Sequence, residues 1–212
     1  MNALTLSAGE STGGRNLFRR VQVTRQDRGV DPNALVSAPD AHRAKVYSAE
    51  DQFTSLMNRG GKVEFFGSTL DIPVQKRFAN IESIRSYVSG LFGESELVHA
   101  LGLNPPTIRE RKGSAKAHYE FTSQIIAIPV TGQSATWALR ESVVLHECAH
   151  YVAAKFAPAG EQPHGPTFTA SMLLLVQAAL GDQARLLLAT GYLEIGAIVG
   201  DHEKIFESVK AP

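Results

Sequence analysis

The sequence predicts an α+β fold, with a small antiparallel sheet packed on one motif-bearing helix and on the helices that flank it. Three observations lead there. Apolar residues recur at helical spacing over 40–58, over 81–92 and over two long stretches after residue 134. Three short runs, 107–111, 118–121 and 124–130, alternate or carry β-branched residues and are separated by small polar turns. The string His146-Glu147-Cys148-Ala149-His150 lies inside one of the helical stretches, directly after the last of those runs.

Residues 1–38 are rich in Ser, Thr, Gly and Arg and show no periodicity, so they read as a flexible tail before one domain over 39–212. Arg15, Arg19, Arg20, Arg25 and Arg28 give that tail a positive excess, which a solvated segment explains more simply than nucleic-acid contact does. Asp40 is placed to cap a helix through Asn58, with Val46, Tyr47, Phe53, Leu56 and Met57 on one face and Gly60-Gly61 at its end. Residues 62–72, around Gly67-Ser68, predict a short hairpin. A second helix over 81–92 presents Ile81, Ile84, Tyr87, Val88 and Leu91 to the core; 94–103 either extends it or adds a turn, and Asn104-Pro105-Pro106 stops helical structure. In the sheet, Pro129 removes a ladder donor, which suits an edge position for the run from Gln124 to Val130. The motif helix starts near Ser134, a capping residue, or Ala135, and lays Trp137, Glu141, Val144, Cys148 and Val152 along its core stripe. It ends near Phe156; another helix runs from Pro166 to Leu180, and a shorter one covers 183–190.

Composition narrows the partners. Lys and Arg number 21, as do Asp and Glu, so overall charge selects neither nucleic acid nor a membrane surface. Cys148 is the single cysteine, which excludes an internal disulfide and fits a reducing compartment. No run reaches the ~18–20 apolar residues of a membrane helix, and Met1 to Glu10 lack the parts of a secretory signal, so the expectation is a soluble, cytoplasmic protein. No repeat, Gly-rich phosphate loop or cysteine pair supplies a second motif.

Positions four apart on a helix differ by only ~40° of rotation, so His146 and His150 project side by side and can share one metal ion. Glu147 is rotated ~100° from His146, yet its longer arm can reach a water on that ion. Two ligands and one general base are the working parts of a zinc hydrolase, which further needs a third protein ligand and an open fourth position. The run Ala157-Pro158-Ala159-Gly160-Glu161-Gln162-Pro163 breaks the helix and delivers His164 at the mouth of the next one, with Gly165 allowing close approach and Pro166 suited to its first turn. Glu161, Glu194 and Glu203 are competing third ligands without that local context. Cys148 is turned ~70° or more from either imidazole, which is a core position. A metal-free string and a purely structural metal stand beside the catalytic reading, because His-Glu-x-x-His arises by composition in roughly one or two such chains per hundred. Tyr192, Arg185, His118 and Tyr119 are available as oxyanion donors, none at a diagnostic spacing.

His146, Glu147 and His150, followed by His164-Gly165-Pro166-Thr167-Phe168, resemble the SprT-like zinc metallopeptidases, whose motif is a His-Glu-x-x-His helix and then His-Gly-Pro-x-Phe. The chain is also similar to a family of small metallohydrolases from actinobacteria and their phages, with Lys45-Val46-Tyr47-Ser48-Ala49-Glu50 adding to the likeness. The resemblance implies a zincin-like domain with Zn2+ held by His146, His150 and His164, and with Glu147 as the general base of amide hydrolysis. It also implies a peptide or protein substrate whose extended backbone pairs with an edge strand beside the motif helix, for which Gln124 to Val130 is the natural candidate. Some SprT-like proteins act on DNA-bound proteins, but this chain lacks paired cysteines and net positive charge, so nucleic acid is not favoured as a partner. A regulatory or DNA-associated protein and a metal-stabilised binding module without turnover are the alternative readings.

Overall fold

The computed structural model describes residues 40–112, 116–132 and 135–210; the expected tail over 1–38 and the expected cap Ser134 lie outside the described residues. The architecture is α+β. Helix α1 (Arg43–Arg59) buries Val46, Ala49, Glu50, Phe53 and Met57, which is the anticipated apolar stripe with one carboxylate in it. Asp40 is not its cap. His42 takes the N-cap position without a side-chain hydrogen bond, and the Asp40 carboxylate reaches His164 instead. Strands β1 (Gly61–Phe65) and β2 (Ser68–Ile72) form the expected hairpin. Its turn holds both Phe66 and Gly67 at positive φ, 48° and 79°, the mirror-image turn whose twist matches that of paired strands. Helix α2 (Ile81–Glu94) opens on a capping box between Asn80 and Ser83, and one further turn, α3 (Glu96–His99), follows it.

The main sheet corrects the sequence reading. Strands β3 (Thr107–Arg111), β4 (His118–Glu120) and β5 (Ile125–Pro129) lie in the order β3-β5-β4. β4 is antiparallel to β5 as expected, but β3 runs parallel to β5, and the run from Gln124 to Val130 supplies the central strand rather than an edge. The cause is the near-continuous apolar run of β5, buried from Ile126 onward, which needs neighbours on both sides and cover on both faces. Arg109, Glu110 and Arg111 suit β3 to an edge, and β4 has a length of 3 residues. Pro129 closes its strand, so the donor it lacks falls at the end of the ladder.

The motif helix is divided. A single turn, α4 (Ala135–Ala138), gives way to extended backbone at Arg140 (φ −91°, ψ 145°) before α5 (Glu141–Phe156) begins. Segment 75–78 takes up the backbone groups at this break. Phe78 N–H donates to Leu139 O, Glu141 N–H donates to Lys76 O, and Ser142 N–H donates to the side-chain oxygen of Gln75. The buried Glu141 carboxylate accepts in return from the Lys76 backbone N–H at 2.7 Å and from its Nζ at 2.8 Å. α6 (Pro166–Leu180) packs along α5, with Pro166 in its first turn. α7 (Asp182–Ile195) is longer than the segment expected over 183–190; it packs on α6 and α1 and ends at Gly196 in the left-handed conformation. α8 (His202–Lys210) packs on α6. Both α5 and α6 are buried along most of their length, so they form the centre of the core. Among the described residues no helix is long and apolar enough to cross a membrane.

Candidate metal centre

α5 presents His146 and His150 one turn apart, and the turn after Phe156 brings His164 back against them. All three are buried, and one nitrogen of each lies within 4.8 Å of the other two. The local sequence explains the return of His164. Glu161 folds over the start of α6, where its carboxylate accepts from the Thr167 N–H at 2.7 Å and the Thr167 hydroxyl at 2.9 Å. A Cβ on residue 165 would stand 2.6 Å from Glu161 Cγ, so Gly165 is what lets this cap close. Phe168, fully buried, sets its ring between 4.5 and 5.0 Å from all three imidazoles and forms their apolar floor.

The groups behind the imidazoles decide which nitrogens are free. His146 Nδ1–H donates to Glu50 at 2.7 Å, and His164 Nδ1–H donates to Asp40 at 2.5 Å. A carboxylate only accepts, so each ring keeps its proton on Nδ1 and leaves a lone pair on Nε2. Both Nε2 atoms are buried with no hydrogen-bond partner, as are His150 Nδ1 and Glu147 Oε2. The other Glu50 oxygen accepts from the Tyr192 hydroxyl at 2.7 Å, so α1, α5 and α7 meet at one carboxylate. Tyr47 lies over the rings, stacked on His146 at 5.2 Å and tilted over His164 at 5.3 Å.

Buried polar atoms without partners are rare, and several at one place call for a ligand. A tetrahedral ion with ~2.0–2.1 Å bonds to nitrogen needs donors about 3.4 Å apart, and the three histidine nitrogens here lie within 4.8 Å of one another. His146, His150 and His164 could therefore hold a metal ion. Imidazole donors suit zinc, and also copper, iron or nickel.

Burial acts against the charged form of His146, but the charge and hydrogen bond of Glu50, with Glu147, prevail and hold its pKa above the usual imidazole value. His150 is held well below that value by burial and by His146 and His164 beside it. His164 is lowered too, by burial first, with the Asp40 hydrogen bond opposing. Burial raises the Glu147 carboxyl above its usual range against the pull of His146 and of a hydrogen bond from the Tyr119 backbone N–H.

Other expected groups are placed elsewhere. Glu161 is the cap just described, while Glu194 and Glu203 are exposed and, among the described residues, stand outside the histidine cluster. Tyr192 is committed to Glu50, and His118 accepts from Arg111 at 2.5 Å. Tyr119 packs on Phe121 and Tyr151, and Arg185 lies on α7. Cys148 is buried in the core, where burial and the nearby Glu147 push its thiol pKa far up. Sequence reasoning missed Asp40, Glu50 and Tyr47 as parts of the site.

No family model, no curated protein and no solved structure matches this chain.

Proposed function

We propose that the protein is a zinc-dependent amide hydrolase, a metallopeptidase of the SprT-like, zincin-like kind that works in the reducing cytoplasm. The observation that carries this reading is the pair of carboxylates behind His146 and His164, which leaves two buried Nε2 lone pairs beside a buried glutamate. Zinc bound there supplies a Lewis acid that brings the pKa of a water towards ~7 and polarises a substrate carbonyl. Asp40 and Glu50 keep two rings in the ligating tautomer. Glu147 takes the proton of the attacking water and returns it to the leaving amine, so no covalent enzyme intermediate forms. The edge position expected of Gln124 to Val130 passes to β4, whose outer side is the natural seat for an extended peptide.

Metal analysis of the purified protein and cleavage of a peptide library test the proposal together. Glu147→Gln keeps the zinc and loses turnover, whereas His146→Ala, His150→Ala and His164→Ala each lose the zinc. Full metal content in all three histidine variants, or cleavage undiminished in Glu147→Gln, overturns it.

A further inference from the structure

We propose that the cavity beside Glu147 binds a substrate carboxylate carried on a short aliphatic stem, and that Arg140 selects it. The proposal rests on the hydrolase reading for the identity of the stem, a residue next to the scissile bond. The cavity, of about 530 Å³, is bordered by His146 and Glu147 and walled by Phe53, Trp137, Val143 and Met172. That volume and those apolar walls are what a small-molecule or side-chain pocket requires. Arg140 enters it from the break between α4 and α5, where extended backbone keeps its side chain out of the helical stripe.

The guanidinium carries an unpaired donor. Its Nε is buried without a hydrogen-bond partner, and among the described residues it forms no ion pair. Of the neighbouring carboxylates, Glu50 holds His146 and Tyr192, Glu147 keeps its buried Oε2 unpaired and forms no ion pair with Arg140 among the described residues, and Asp51 sits on the exposed rim. A partly buried donor left unpaired is costly, and a carboxylate matches the planar fork of arginine with two parallel hydrogen bonds. Lys116, on the same rim, adds a second positive charge at the entrance. The apolar walls accept the stem, and Arg140 accepts the charge. A glutamate or aspartate side chain and a C-terminal carboxylate share this chemistry.

Trp137 is the only tryptophan of the chain and lines the cavity, so its fluorescence reads occupancy without turnover. The full chain, freed of metal with a chelator so that no carboxylate reports through an ion, is titrated with three peptides. These are acetyl-Ala-Glu-Ala-amide, its Gln counterpart, and acetyl-Ala-Ala-Ala with a free carboxylate. At least one carboxylate peptide binds about tenfold or more tightly than the Gln peptide, and which one does so identifies an internal acidic residue or a chain terminus as the source. The preference disappears in Arg140→Gln and in Arg140→Met, which keeps the stem, and returns in part in Arg140→Lys. Equal binding of all three peptides by the wild type, or a preference that survives in folded Arg140→Gln and Arg140→Met, overturns the assignment. Peptide cleavage without an acidic preference sinks this proposal and leaves the hydrolase reading standing; a carboxylate preference in a protein that never cleaves does the reverse.

Discussion

Glu50 accepts from two donors at once, the His146 imidazole and the Tyr192 hydroxyl, and an amide cannot do the same. Glu50→Gln keeps the shape but offers one acceptor to two donors. We expect it to weaken zinc binding by about 10–100-fold, the usual consequence of losing a carboxylate behind a metal-ligating imidazole, and to cost roughly 1–3 kcal/mol for the donor left unpaired. Asp40→Asn weakens binding less, since its oxygen can still accept from the single His164 donor. Calorimetric titration with zinc and a thermal melt measure both effects, and wild-type affinity in Glu50→Gln would remove Glu50 from the metal site. The histidines were readable because helical spacing alone puts His146 beside His150 and a proline-bounded turn supplies His164. Their carboxylate partners were not, because hydrogen bonds that span 96 and 124 positions leave no local period. One signal did exist: Glu50 falls between Val46 and Phe53 on the buried stripe of α1, where an unpaired carboxylate has no place.

The start of α5 depends on segment 75–78. With Arg140 supplying no side-chain cap, the first turn is held by Gln75, the Lys76 carbonyl and the buried Glu141 carboxylate. Glu141→Ala is expected to cost roughly 3 kcal/mol, the low end for breaking a buried ion pair, because Lys76 is 55% exposed and its charge returns to water. Chemical denaturation measures the loss, and hydrogen exchange shows it as faster opening of the first turn of α5. A midpoint equal to that of the wild type would mean that the lock contributes nothing. This break was illegible beforehand because no residue between Trp137 and Glu141 is a glycine or proline; it is imposed by tertiary bonds from 75–78. The misplaced strand has the opposite origin. Pro129 spoke for an edge, yet the apolar run Ile125-Ile126-Ala127-Ile128 outweighed it, since burying those side chains stabilises the sheet far more than one absent donor weakens it.

Three imidazoles from α5 and the turn before α6, backed by α1, would make a metal bound there a tie across the centre of the domain. A ligand that binds only the folded chain stabilises it by about 4 kcal/mol when its free concentration is a thousandfold above Kd. Stripping zinc with a chelator should therefore lower the melting temperature by several degrees, and His164→Ala should abolish that shift. Equal melting with and without zinc, at confirmed loading, would contradict a tie of this kind. The α+β class was legible from periodicity alone, whereas the parallel β3–β5 pair and the full length of α7 emerge only once the helices are packed. Because the Glu50 carboxylate bridges α1 to the last turn of α7, a fragment trimmed to the recognisable His-Glu-x-x-His and His-Gly-Pro-x-Phe strings would lose the groups that fix how the His146 ring is oriented. Any shortened version for crystallisation or engineering has to retain everything from Asp40 through Tyr192.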